Sequence, residues 1–117
     1  MRKKRPRYKT LFFFDRTVPR ELYYKIQRRL NIMGYGAVWQ PNSAMRGVRN
    51  IEEICKYCKA RGIPILASFY REIKLPHQFE GELLLIHLRG GRHKTVNKII
   101  SSLFSALRSF KMKNKKE

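Results

Sequence analysis

Residues 10–14 read TLFFF, and this stretch indicates the class of fold. It is a short, continuous apolar run rich in aromatic side chains, which is typical of a strand buried on both faces. Strands of this kind lie inside parallel sheets that are covered by helices above and below. The acidic residue Asp15 ends the run.

Further apolar stretches predict strands at 37–39, 64–69 and 82–88. These strands alternate with helical patterns along most of the chain. We therefore predict an α/β fold, a three-layer sandwich in which a mainly parallel sheet of about four strands has helices on both faces.

The helices are predicted from apolar residues at helical spacing. The first should carry Pro19 in its first turn and end at Gly34 and Gly36. The second should begin at the N-cap residue Asn50. The third should extend over 95–110 with one apolar stripe along it.

The chain is strongly basic. It has 27 Lys and Arg residues against 8 Asp and Glu residues, a formal net charge of +19 over 117 residues. A basic arm at 1–9 and a basic tail at 111–117 flank the single predicted domain at 10–110. A polyanion would relieve the self-repulsion of such a chain, and each neutralised phosphate releases a condensed counterion. Nucleic acid is the expected partner, ahead of an anionic membrane surface or an acidic protein.

The expected location is intracellular, in the cytoplasm. The apolar stretch at 11–14 is too short for the core of a secretory signal. No run approaches the ~20 apolar residues that a membrane span needs, so no membrane partner is predicted.

Two cysteines, Cys55 and Cys58, invite a zinc or redox interpretation. A structural zinc site takes about four ligands, whereas no second cysteine pair follows and the histidines at 77, 87 and 93 show no ligand spacing. Both cysteines fall on the apolar face of the second predicted helix. We therefore expect them to be small core residues, with no bound metal or cofactor.

One end of the predicted sheet is the place for a functional site. Ligands of open parallel sheets gather at the carboxyl ends of the strands. Asp15 directly follows the first strand, so it should lie at the mouth of any site, and the residues after Phe69 should share that mouth.

The order of these segments resembles the PIN-like superfamily of metal-dependent ribonucleases, in particular its short stand-alone members. The resemblance covers about residues 10–108 and depends on the order and spacing of several pieces, none of which is specific alone. The similar pieces are LFFFDRTVPRELYYKIQRRLNIMGYGAV at 11–38, RGVRNIEEICKYCKARG at 46–62, ILASFYREI at 65–73 and ELLLIHLRGGRHKTVNKIISSLFSAL at 82–107.

The resemblance implies carboxylates that hold Mg²⁺ or Mn²⁺ for RNA hydrolysis. Two positions depart from the family pattern. Tyr70 stands at the first acid of an Asp-x-Asp pair, and Arg16 stands where an acid often follows the first Asp, so a cation would compete with the metal. The implied ligands are Asp15, Glu52 or Glu53, and Glu72.

We therefore predict a non-catalytic RNA-binding protein on a PIN-like scaffold. Its cations would contact phosphates, and Tyr8, Trp39 and Tyr70 could stack on unpaired bases, although ordinary core packing also explains Trp39. The predicted RNA contacts are Lys3, Lys4, Arg5, Arg7, Lys9, Arg16, Arg46, Arg49, Arg89, Arg92, His93, Lys94, Lys111 and Lys113.

Other functions remain open at this point. Such a charge in so small a chain is typical of proteins inside ribonucleoproteins, so ribosomal RNA within the ribosome is the predicted target. The main alternative is a metal-dependent, toxin-like ribonuclease that uses Asp15, Glu53 and Glu72. A DNA-binding architectural protein would share the electrostatics, but no helix-turn-helix signature is present. The sequence leaves the identity of the RNA and the oligomeric state open.

Overall fold

A computed structural model describes residues 8–90 and 95–114, with side chains as far as Lys111. The described strands are β1 (Lys9–Phe14), β2 (Tyr35–Trp39), β3 (Ile65–Ser68) and β4 (Leu84–His87). The described α-helices are α1 (Arg20–Ile32), α2 (Ile51–Ala60) and α3 (Val96–Asn114). Short 3₁₀ helices lie at Gln40–Asn42 and His77–Phe79.

The strands form one parallel sheet in the order β2-β1-β3-β4, which confirms the predicted α/β class. The first strand, β1, pairs with β2 on one side and with β3 on the other. The connection from β1 therefore leads to one edge of the sheet, and the later strands β3 and β4 lie on the opposite side of β1. The carboxyl ends of β1 and β3 therefore form a topological switch point, the usual place for a ligand in such sheets.

The side chains of β1 alternate between two cores. Phe12 and Phe14 pack on the face that α1 and α3 cover, whereas Phe13 packs with α2 on the other face. All three phenylalanines have no exposed surface. This arrangement is the predicted three-layer sandwich, with the strand at 10–14 in its middle layer.

The third helix follows its predicted stripe. Ile99, Ile100, Leu103 and Leu107 are buried in the core that α1 and β1 share. The prediction of its end was wrong, because the helix continues to Asn114 and includes the first four residues of the predicted tail. No proline or glycine interrupts this stretch, so nothing local ends the helix at Phe110.

Other predicted boundaries were also wrong. Lys9, assigned to the basic arm, begins β1. Pro19 precedes α1 as its N-cap residue and is not part of the first turn. Gly34 has a φ of +91° and ends α1 as predicted, but Gly36 lies inside β2. A Cβ atom at Gly36 would meet Thr10 Oγ1 at 2.9 Å, so close strand contact explains this glycine.

Within the described ranges, no helix combines the length and the apolar composition that crossing a membrane requires.

Candidate functional site

Asp15 lies at the switch point, as predicted, directly after β1. It is 3% exposed, and its backbone N–H donates to the Ala67 carbonyl of β3 at 3.1 Å. Its carboxylate Oδ1 accepts hydrogen bonds from the backbone N–H of Thr17, at 2.9 Å, and from the Thr17 hydroxyl. An Asp bonded to the backbone two residues ahead forms an Asx turn, which here connects β1 to the approach of α1.

The Thr17 hydroxyl extends this network to β3. Its oxygen accepts from the Phe69 backbone N–H at 2.8 Å and lies 3.3 Å from the Ser68 hydroxyl oxygen. Since the single Thr17 hydroxyl proton goes to Asp15, the Ser68 hydroxyl must be the donor to Thr17. Ser68 in turn accepts from the Tyr70 backbone N–H at 3.0 Å. The network holds the carboxyl ends of β1 and β3 together.

A cavity of about 250 Å³ opens beside this network, and we call it the charged cavity. Apolar side chains of α2 form part of its wall, and charged side chains from the loops after β1, β2 and β3 form another part. The lining residues are Asp15, Arg16, Thr17, Arg49, Ile51, Ile54, Tyr70, Glu72, Ile73 and Lys74. The expectation that residues after Phe69 share the mouth with Asp15 is confirmed.

A buried glutamine holds the loop after β2 against this site. Gln40 is 1% exposed, and its side-chain oxygen accepts from the backbone N–H of Arg16 at 3.0 Å. Its amide nitrogen donates to the carbonyls of Met45, at 3.1 Å, and Val48, at 2.6 Å. The loop that carries Arg46 and Arg49 is thereby fastened to the end of β1. Sequence reasoning missed Gln40, since a lone glutamine in a polar loop gives no signal.

The candidate metal ligands are only partly brought together. Asp15 and Glu72 line the charged cavity, but Glu53 does not and is exposed on the first turn of α2. Glu52 accepts a hydrogen bond from Gln78 instead. Among the described residues, no group of three or more His, Cys, Asp or Glu side chains is placed to hold a metal ion.

The chemistry of the cavity suits an anion better than a divalent cation. One Asp15 oxygen already accepts two hydrogen bonds from Thr17. The cations Arg16, Arg49 and Lys74 line the same space, and like charges disfavour one another at short range. The donor set therefore fits Mg²⁺ or Mn²⁺ poorly.

The predicted RNA contacts separate into groups. Arg16 and Arg49 line the charged cavity, and Arg46 and Arg89 are exposed in loops that follow other strands. Lys9 lies at the amino end of β1, and Lys111 is exposed on the last turns of α3. Lys3, Lys4, Arg5, Arg7, Arg92, His93 and Lys94 lie outside the described residues, as does the side chain of Lys113.

Sequence reasoning missed two cations of this surface, Arg71 and Lys74. Both are exposed in the loop after β3, and Lys74 lines the charged cavity. The prediction that the residues after Phe69 share the mouth of the site covers both positions, but it did not single out these two cations.

The candidate stacking aromatics also differ from one another. Tyr70 is 49% exposed and lines the charged cavity, and Tyr8 is 42% exposed. Trp39 packs in the structure, with its ring parallel to that of Tyr23 at 5.5 Å and its indole N–H donating to the Val18 carbonyl at 3.0 Å.

The two cysteines are core residues, as predicted. Cys55 and Cys58 are both fully buried with free thiols. Burial, more than the neighbouring Glu52, raises the pKa of Cys55 to about 11, and burial with the adjacent Cys55 raises the pKa of Cys58 to about 12. Buried thiols with raised pKa values are protonated at neutral pH and react slowly.

The chain matches no protein-family model, no curated protein and no solved structure. The residues of the site itself therefore carry the functional argument.

Proposed function

We infer that this protein binds RNA through the phosphate backbone without cleaving it, with the charged cavity at the centre of the contact surface. The observation that carries this proposal is the placement of exposed cations, since every strand of the sheet is followed at its carboxyl end by at least one. These cations are Arg16, Arg46, Arg49, Arg71, Lys74 and Arg89.

The charge balance at this edge favours a polyanion. In the stretches that directly follow the strands, 15–19, 40–50, 69–76 and 88–90, the acidic residues are Asp15 and Glu72, and Asp15 is buried. Glu80 and Glu82 come later in the connection to β4. The ion pair Lys59–Glu82, at 2.9 Å, and the contact between His77 Nδ1 and the Glu80 carboxylate, at 3.2 Å, involve none of Arg16, Arg49 and Lys74. Cations in such a cluster repel one another, and phosphate contacts would relieve that repulsion.

Single-stranded RNA is a better match than duplex DNA. The half-exposed Tyr70 ring lies among the cations of the charged cavity, and aromatic rings stack on unpaired bases. The resemblance to PIN-like ribonucleases supports the same class of partner. Ribosomal RNA in the cytoplasm is the target that we propose, because the net charge of +19 is typical of proteins inside ribonucleoproteins.

The salt dependence of binding tests this proposal. Anisotropy of a labelled oligouridylate would be measured with the full chain over a series of KCl concentrations. The triple variant Arg16→Ala, Arg49→Ala, Lys74→Ala should lower the slope of log Kd against log salt by about 2, since each contact with a single strand contributes roughly 0.7.

A matched triple variant controls for net charge. Lys25→Ala, Arg28→Ala and Lys56→Ala remove the same charge from exposed helix positions that do not line the charged cavity. We expect this variant to keep most of the wild-type slope. Equal losses in the two triple variants would refute the position of the site, and salt-independent binding by the wild type would refute phosphate recognition.

Ribosome association has its own test. Tagged protein in a cell extract should sediment with ribosomal particles at low salt and move to the top of the gradient at high salt. The cavity triple variant should dissociate at a lower salt concentration than its matched control. Sedimentation away from ribosomal particles at every salt concentration would refute the ribosomal target but not RNA binding.

A metal-dependent ribonuclease is the second candidate. The observation that favours it is the presence of Asp15 and Glu72 in one cavity. Incubation of a labelled RNA with the protein and MnCl₂ or MgCl₂ decides between the candidates. Cleavage that Asp15→Asn abolishes would establish the nuclease, whereas tight binding without cleavage is the outcome we expect.

A further inference from the structure

A second cavity, also of about 250 Å³, lies at the outer edge of β2, which is an edge strand of the sheet. We call it the aromatic cavity. Helix α1 forms one wall and the 3₁₀ turn after β2 another, while α2 contributes one tyrosine. The lining residues are Tyr23, Tyr24, Gln27, Ala37, Val38, Trp39, Asn42, Ser43 and Tyr57.

The aromatic walls of this cavity hold one another in place. The Trp39 ring is stacked on Tyr23 with an angle of 13° between the planes, and Tyr24 packs edge-on against Trp39 at 6.0 Å. Tyr57 packs against Phe13 of the central strand at 5.8 Å. A ligand would therefore meet preformed aromatic surfaces and would not have to order them.

Two amides in the lining keep hydrogen-bonding capacity for a ligand. Gln27 donates to the Tyr23 hydroxyl and Asn42 donates to the Tyr24 hydroxyl, both at 3.3 Å. Each bond uses one of the two N–H donors of an amide, so each side chain retains an N–H and a carbonyl oxygen. Ser43 is different, since its hydroxyl already donates to Gln40 and accepts from the Met45 backbone.

Two arginines lie against rings of this cavity, but no Asp, Glu, Lys, Arg or His is among its lining residues. Arg20 lies over the Tyr24 ring, 5.9 Å from its centre, and Arg61 lies over the Tyr57 ring at 4.7 Å. The surface therefore suits a ligand with a flat, uncharged, hydrogen-bonding part and anionic groups on either side of it.

We propose that the aromatic cavity binds one unpaired base of single-stranded RNA, with Arg20 and Arg61 beside the phosphates that flank it. The volume agrees with this occupant, because pockets for drug-sized ligands measure roughly 300–1,000 Å³ and a single base is smaller than such a ligand. Stacking on Tyr24, Trp39 or Tyr57 supplies the affinity, and the amides of Gln27 and Asn42 contact the edge of the base. The inference builds on the proposed RNA binding and adds a site for bases to the site for phosphates.

Trp39 is the single tryptophan of the chain, so its fluorescence reports on this cavity directly. The probes are adenosine, which has a base but no phosphate, an oligoadenylate, and an abasic ribose-phosphate strand of the same length. Adenosine and the oligoadenylate should quench Trp39 saturably. The abasic strand should bind, as measured by its competition with a labelled RNA, but leave Trp39 fluorescence unchanged.

Paired variants locate the base. Tyr24→Ala should raise the Kd for adenosine, obtained from the quenching curve, by roughly 5- to 150-fold, which is the range for the loss of one stacked base. Tyr24→Phe should keep the wild-type Kd. Because Tyr24 is part of the fold, the exposed Asn42→Ala provides a second variant that should weaken quenching without unfolding the chain. Asn97→Ala, an exposed asparagine on α3, is its control and should bind adenosine as the wild type does.

The outcomes separate this inference from RNA binding in general. Equal quenching by the abasic strand and the oligoadenylate, or no saturable effect of adenosine, would overturn the base site while backbone binding survives. Saturable quenching by adenosine with no binding of either strand would refute the proposed RNA binding. That result would also overturn the inference as stated, since the cavity would then take free nucleosides.

Discussion

The two cavities have about the same volume, 250 Å³ each, but very different walls. The charged cavity is bordered mainly by loops that follow β1 and β3, and these loops supply Arg16, Glu72 and Lys74. The aromatic cavity is bordered mainly by side chains of α1 and β2 that also pack in the fold. The charged side chains of the charged cavity therefore lie in loops, whereas the aromatic side chains of the aromatic cavity lie on α1, β2 and α2.

This difference predicts that the two sets of walls contribute unequally to stability. Trp39→Ala should lower the free energy of unfolding by about 2–4 kcal/mol, because it removes a stacked ring and the hydrogen bond to Val18. Arg49→Ala, an exposed substitution in the charged cavity, should change it by less than about 0.5 kcal/mol. Urea unfolding measures both values. Similar losses in the two variants would remove the distinction between the cavities.

The second prediction concerns alkaline pH. Burial, with a smaller effect of Tyr24, raises the pKa of Tyr23 from 10.0 to about 12. The unfolded chain then loses this proton at a lower pH than the folded chain, so the Tyr23 contribution is intact below pH 10 and is lost as the pH rises towards 12. A shift of this size corresponds to about 2–3 kcal/mol.

Tyr23→Phe separates that contribution from the contribution of the buried thiols Cys55 and Cys58, which is lost over an overlapping pH range. The variant should unfold somewhat more easily at neutral pH, since the hydroxyl donates to Ala37, but lose less stability than the wild type between pH 10 and 12. If the free energy of unfolding falls equally with pH in the two proteins, the Tyr23 hydroxyl must be more exposed to water than it is in the structure.

The third prediction separates a structural Asp15 from a catalytic one. Asp15→Ala should cost about 1–3 kcal/mol, because it leaves the Thr17 N–H and hydroxyl without their acceptor at a buried site. Asp15→Asn keeps an acceptor oxygen and should cost less. Removal of the negative charge should also tighten oligouridylate binding at low salt. Weaker binding by a stably folded Asp15→Asn protein would contradict the phosphate site.

The smallest expected effect is at Glu72. This exposed carboxylate lines the charged cavity, so Glu72→Gln should tighten oligouridylate binding by about two- to five-fold at low salt and leave adenosine quenching unchanged. Glu53→Gln removes the same charge from an exposed position outside the cavity and should have less effect. A loss of affinity in Glu72→Gln would instead indicate that the Glu72 carboxylate makes a favourable contact in the complex with oligouridylate.

Much of the fold follows from patterns that local physics dictates. The run at 11–14 has to be buried on both faces because its side chains alternate between them, and the stripe of α3 has to face a core. The prediction that Gly36 helps to end α1 was wrong, because a strand accepts glycine when a neighbour such as Thr10 approaches closely, and sequence spacing does not reveal that contact.

The candidate site was less predictable, because several of its contacts also join residues whose closeness the sequence spacing does not reveal. Asp15 was placed correctly because it ends a strand, and a strand end has a defined position in a parallel sheet. Gln40 begins the short 3₁₀ helix after β2, and Lys74 lies in the loop after β3. In such short or irregular segments, no periodicity relates a residue's position in the sequence to the direction of its side chain. The aromatic cavity depends on α1, β2 and α2 meeting at one edge, and that meeting is a property of the assembled layers.

The position of β1 in the middle of the sheet has a consequence for synthesis of the chain. Phe14 pairs with Trp39 of β2 and with Ala67 of β3, so its strand is complete only after a much later segment has left the ribosome. At ~5–20 residues per second, the intervening stretch of about 50 residues takes roughly 3–10 s to translate. During that interval the apolar TLFFF segment lacks its β3 partner strand, so its exposed apolar surface and unpaired strand edge favour aggregation.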